Sequence, residues 1–116
     1  MKNTMNKLQK ILEDAPKKIK ESWIEKNVSA GMPILIQNDE HKFLYILISG
    51  TASVSILLSR GTVMPLFVNE PWSILGEMEI FCKIKNIATV TAITDCRLLL
   101  INQDHLLKWI KECPDF

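Results

Sequence analysis

Pro71-Trp72-Ser73-Ile74-Leu75-Gly76-Glu77-Met78-Glu79, followed after a short linker by Asn86-Ile87-Ala88-Thr89-Val90-Thr91-Ala92, is the most informative part of this chain. Gly76 offers a backbone position with no Cβ, free to take a positive φ or to let another group come close. Glu77 follows directly, with the apolar residues Met78, Ile80 and Phe81 behind it. A carboxylate at the start of a helical turn is favoured by the free amides and the dipole there. Beyond the linker the chain is β-branched and alternating. Ala88, Val90 and Ala92 point one way; Thr89, Thr91 and Ile93 point the other. A strand, a Gly-Glu turn, a short helix and a second strand thus meet within a few residues. Such a cradle can hold a small polar ligand against backbone amides.

Working outward, the N-terminal side reads as strands and tight turns. Gly31 marks a turn and Ile34-Leu35-Ile36 a short strand; Gln37-Asn38-Asp39-Glu40 is a polar turn. Phe43 to Ile48 is apolar on both faces, which predicts a central strand covered on both sides. Ser49-Gly50 and Arg60-Gly61 read as hairpin turns. Between them Thr51 to Ser59 alternates, with Ala52, Val54, Ile56 and Leu58 expected inward; Thr62 to Val68 returns. Residues 4–26 read as helix in two pieces, with Ile19, Trp23 and Ile24 on an apolar side. The chain turns extended around Ser22 to Val28.

On the C-terminal side, Arg97 to Ile101 reads as a strand and Asn102 as the N-cap of a last helix. Leu106, Leu107, Ile110 and Cys113 lie at helical spacing, and Pro114 stops the helix. The expected fold is mainly β: an antiparallel β-barrel or jelly roll (double-stranded β-helix) with flanking N- and C-terminal helices. The expected layout is one domain over 1–116, with a helical lead-in at 1–30, the barrel at 31–102 and the C-terminal helix at 103–113.

Composition excludes several classes. The 116 residues are 47% hydrophobic, enough for a core and too many for a disordered chain. Fourteen basic and 13 acidic residues give no whole-chain field for nucleic acid. No apolar run approaches the roughly 20 residues of a membrane helix, and Lys2 is followed by polar residues rather than a signal sequence. Three cysteines, an odd number without a Cys-x-x-Cys pair, argue against a disulfide framework or an iron–sulfur centre. A reducing cytoplasm fits, and no cofactor is expected. His41 and His105 are isolated, so the metal cluster of a cupin-type enzyme has no ligands in this pattern.

The segment resembles the phosphate-binding cassette of the cyclic nucleotide-binding domain, as in the Crp/Fnr family of bacterial transcriptional regulators. Gly76-Glu77 and Ala88-Thr89-Val90 match the two ends of the family pattern. The likeness runs from about Gly31 to Phe116 and includes Leu44–Gly50 and Ala92–Leu98. It implies a ligand-binding set of Gly76, Glu77, Met78, Asn86, Ile87, Ala88 and Thr89. Glu77 is then either the acceptor for a ribose hydroxyl or a carboxylate satisfying local amides. Trp72 and Tyr45 either stack a base or pack. The departures are specific. Asn86 stands in the slot of the phosphate-binding Arg, Ile87 in one often filled by Ser or Thr, Trp72 in place of a Gly, and Glu79 where a small residue is usual.

The resemblance therefore implies a non-catalytic effector-sensing domain whose affinity for cyclic AMP or cyclic GMP is weak or lost. An Arg makes charge-assisted bonds to a phosphate that a neutral amide cannot. Lys83 or Lys85 stands near as a substitute point charge. The alternative is a ligand-free interaction or dimerisation module on the same fold. The expected partners are a small nucleotide-like effector and a second copy of the chain, with no membrane. DNA is expected only through a C-terminal domain, because the 116 residues hold no recognition-helix candidate.

Overall fold

The computed structural model describes residues 7–105 and residue 108; at positions 7, 8, 11, 18, 19 and 78 it describes the backbone only. Two short helices, α1 (Lys7–Glu13) and α2 (Lys17–Lys20), lead into strand β1 (Ile24–Val28). Then follow β2 (Pro33–Leu35), β3 (Phe43–Ser49), β4 (Ala52–Leu57), β5 (Val63–Asn69), β6 (Ser73–Leu75), helix α3 (Glu77–Cys82), β7 (Thr89–Ala92) and β8 (Cys96–Asn102). The strands form two antiparallel four-stranded sheets, ordered β1-β8-β3-β6 and β2-β7-β4-β5. The mainly β, jelly-roll expectation holds.

The first sheet explains the doubly apolar stretch at Phe43–Ile48. Alternate residues of β3 face two different cores. Tyr45 and Leu47 point between the sheets, where they meet Val54, Val90, Leu98 and Leu100. Leu44 and Ile46 point outward and are covered by Leu12 and Ala15, by Ile80 of α3, and by Ile101. Leu44, Ile46, Leu47, Leu98 and Ile101 have no exposed surface. Each such side chain contributes about 1.5–3 kcal/mol of burial.

Residues 22–28 differ in part from the helical reading. Ile24, assigned to a helix face, is in β1 opposite Leu100 and is exposed. Pairing with the already buried β8 overrides local helical spacing here. Trp23 does pack, against the outer core.

In the second sheet β7 alternates as read, with Val90 and Ala92 buried. Leu58 does not point inward: β4 ends at Leu57, and the Leu58 N–H donates to the Thr62 carbonyl in the turn. β5 is the sheet edge, and Val63, Met64, Leu66, Phe67 and Val68 are all exposed. Given the bonded Leu58–Thr62 pair, alternation along the ladder turns the Pro65 nitrogen away from β4, where a missing N–H breaks no bond. Gly50 takes φ 91, and a Cβ there would lie 2.3 Å from the Asp95 carbonyl oxygen, so the β3–β4 turn requires glycine.

After β8 the chain turns helical at residues 103–105, and the Asn102 side chain accepts the Asp104 N–H at 2.8 Å, the N-cap expected of it. Leu106, Leu107, Ile110, Cys113 and Pro114 lie outside the described residues.

Candidate functional site

The Gly76–Glu77 turn forms as the sequence implies. Gly76 has φ 76 and ψ 22, and α3 begins at the next residue, its first turn closed by the Ile80 N–H on the Gly76 carbonyl. The left-handed backbone alone favours glycine, and crowding adds to it: a Cβ would lie 2.6 Å from His41 Nε2. Glu77 is exposed, and among the described residues its carboxylate takes no partner. It is therefore not consumed in satisfying local amides. Met78 continues α3.

Four residues before Gly76, Trp72 occupies the left-handed region with φ 66, the geometry of the glycine that the resemblance places there. A side chain in that region costs about 1–2 kcal/mol. Its ring packs into the outer core with Trp23, Ile74 and Leu99, on the far side of the sheet from β7. Tyr45 is likewise core: buried, edge-on to His41 at 5.7 Å, its phenol pushed up by desolvation.

Asn86 is the buried polar side chain of the described fold, 3% exposed. Burial of an amide demands partners, and Asn86 has them. Its Nδ2 donates to the Ile36 carbonyl at 2.9 Å, and its Oδ1 meets His41 Nδ1 at 2.5 Å. Its backbone N–H donates to the Asp39 carbonyl and its carbonyl accepts the Asn38 N–H, both at 2.8 Å. The other nitrogen of His41, Nε2, faces the Gly76 carbonyl at 3.1 Å. His41 thus ties the slot at 86 to the glycine turn. Both ring nitrogens face oxygen atoms, one on Asn86 and one on Gly76.

Of the remaining cassette residues, Thr89 is held by the same 36–41 loop. The Thr89 hydroxyl accepts the Gln37 N–H at 3.0 Å. The Gln37 side chain brackets Leu57 of β4, accepting its N–H at 2.7 Å and donating to its carbonyl at 3.2 Å. Ala88 packs against the inter-sheet core. Ile87 is exposed, and its N–H donates to a carboxylate oxygen of Glu79 at 3.1 Å.

Gly76, Asn86 and Thr89 are therefore joined through one loop, while Glu77 and Ile87 stay exposed. Sequence reasoning missed His41 and Gln37, which are 45 and 52 residues from their partners Asn86 and Thr89. No sequence signal pointed to them, since the burial of Asn86 that demands partners is visible only in the fold. A cavity of about 410 Å³ lies beside this cluster, against α3; His41, Glu79, Ile80, Lys83 and Asn102 line it, and residues 86–89 do not. Among the described residues no group of His, Cys, Asp and Glu has the grouping a metal ion needs.

The profile of the cyclic nucleotide-binding domain matches residues 25–113. The chain belongs to the cyclic nucleotide-binding domain family. The cyclic nucleotide-binding domain is similar in fold to the catabolite activator protein of Thermus thermophilus (23% identity, TM-score 0.78, 90% of this chain and 50% of that one). It is similar to the regulatory domain of Toxoplasma gondii PKA solved with cAMP (24%, 0.76, 88% and 40%). A third likeness is to the sensor domain of the transcriptional regulator DNR from Pseudomonas aeruginosa (21%, 0.73, 80% and 63%). This chain thus spans less than two thirds of each of these proteins. No curated protein sequence matches it at a significant level.

Proposed function

We propose that this cyclic nucleotide-binding domain is the non-catalytic effector-sensing part of a Crp/Fnr-like transcriptional regulator in which cyclic AMP and cyclic GMP binding is weak or lost. The observation that carries the reading is Asn86. The slot of the phosphate-binding Arg holds a neutral amide that is buried and fully engaged with Ile36 and His41. A partly buried phosphate without a fixed cation loses charge-assisted bonds worth about 1.5–3 kcal/mol. Three kcal/mol is on the order of a hundredfold in affinity.

In this reading the effector-binding residues are Gly76, Glu77, Met78, Ile87, Ala88 and Thr89, while Asn86 is engaged with the 36–41 loop. The domain spans 1–116, works in the cytoplasm, carries no cofactor and passes its signal to a second copy or to a DNA-binding domain. An effector shifts that equilibrium only by binding two conformations unequally. The test is calorimetry with cyclic AMP and cyclic GMP. The expected outcome is no binding tighter than about 100 μM, a ceiling near 5.5 kcal/mol; sub-micromolar affinity overturns the reading.

A second reading, a ligand-free interaction module, is favoured by the exposed apolar strand β5. It requires concentration-dependent self-association in sedimentation that Phe67→Ser abolishes, with no thermal shift from any nucleotide.

A further inference from the structure

Glu79 closes the connection between α3 and β7 at three points. Its carbonyl accepts the Lys83 N–H and, at 3.2 Å, the Ile84 N–H; its carboxylate accepts the Ile87 N–H at 3.1 Å. The neighbouring amide of Asn86 is directed inward, onto Asp39. The Ile87 amide instead belongs to an exposed residue, in a linker that also carries the exposed lysines Lys83 and Lys85. A free amide near two cations is donor chemistry suited to an anion. Here the anion is part of the chain. Among the described residues the Glu79 carboxylate forms no ion pair, the salt bridge present being Arg97 to Glu25.

We propose that Glu79 is a built-in competitor: its carboxylate holds the Ile87 amide and repels the acidic group of any phosphate or phosphodiester approaching the cassette. This rests on the reading above that the site has lost its affinity, and it supplies a second cause beside the missing cation. Like-charge juxtaposition is an effective way to exclude a ligand because it acts even where shape still fits. The contact is intramolecular, so an incoming anion must displace it rather than simply fill a space.

The experiment compares the full chain with Glu79→Gln and Glu79→Ala, all confirmed folded by circular dichroism. Cyclic AMP is titrated in each, with adenosine as the uncharged control, by calorimetry and by following the Ile87 amide resonance. The expected result is an affinity gain of about tenfold or more for cyclic AMP, an Ile87 shift on titration, and no gain for adenosine. Glu79→Gln separates charge from the hydrogen bond, because it keeps an acceptor oxygen; it should recover most of the gain. Equal affinities in all three proteins, or equal gains for adenosine and cyclic AMP, overturn the proposal while leaving the loss of affinity intact. Sub-micromolar binding by the unaltered chain overturns both.

Discussion

Asn86 shows how one buried amide can organise the loop around it. Its four contacts fix residues 36, 38, 39 and 41 around it. Restoring an Arg at this position therefore does not restore a site. Asn86→Arg should leave cyclic AMP affinity unchanged and lower stability by about 3–5 kcal/mol, since a buried charge without a partner replaces a satisfied amide. Chemical denaturation beside calorimetry checks this; a stable variant with gained affinity would show that residue 86 can turn outward. A stabilising change is available at Lys83, which ends α3 in the left-handed region with φ 55. Lys83→Gly removes the strain of a Cβ there and should raise stability by about 1 kcal/mol, read as a higher denaturant midpoint at constant slope. The cassette's Gly-Glu turn was legible from sequence, because it is local. The partners of Asn86 were not. A hydrogen bond across 45 residues leaves no periodicity to find.

Among the elements, β3 and β5 have similar apolar content and opposite fates. β3 lies between β8 and β6 with a core on each side; β5 pairs only with β4 and is exposed along its length. The doubly apolar run of β3 predicted its position correctly. The alternation of β4 was legible only as far as Ile56, since the turn that exposes Leu58 is set by pairing with Thr62. The exposure of β5 was hidden for a related reason: sequence does not say which strand ends a sheet. Leu47→Ala should cost about 2–5 kcal/mol. Phe67→Ser, at a position 53% exposed, should stay within about 1 kcal/mol of the parent. Parallel urea melts of the two variants check the contrast. Pro65 and the bulge between Val54 and Ser55 blunt the open edge of β5.

At the scale of the whole molecule, the two cores make opening of the sheets a single event. Cys96 reports on it. Its thiol is 1% exposed, bonded to the Thr51 and Thr94 carbonyls at 3.3 Å, and pushed up by burial and by the Asp95 charge. Cys82, on the outside of α3, is exposed. At neutral pH a thiol reagent should modify Cys82 at the rate of a free thiol and Cys96 at least about a hundredfold more slowly, through opening of the fold. Mass spectrometry after timed labelling distinguishes them; equal rates would mean that the inter-sheet core opens locally. The architecture itself was readable from the sequence, since strand length, turn residues and two-sided hydrophobicity all act over short range. The coverage of the outer face was less so. Leu12 and Ala15, which help supply it, lie in a stretch that the sequence marks as helical without saying what it covers.

Gln37 has a mechanical consequence. Its side-chain amide lies against the last residue of β4 as a neighbouring strand would, gripping Leu57 by both backbone groups. The hairpin is then clamped at the tip end of β4, past the Ser55–Thr89 pair where its pairing with β7 ends, as well as at its root. Bending of the tip at residues 58–62 is borne at that clamp, and the load passes through the Gln37 amide to Thr89 at the head of β7.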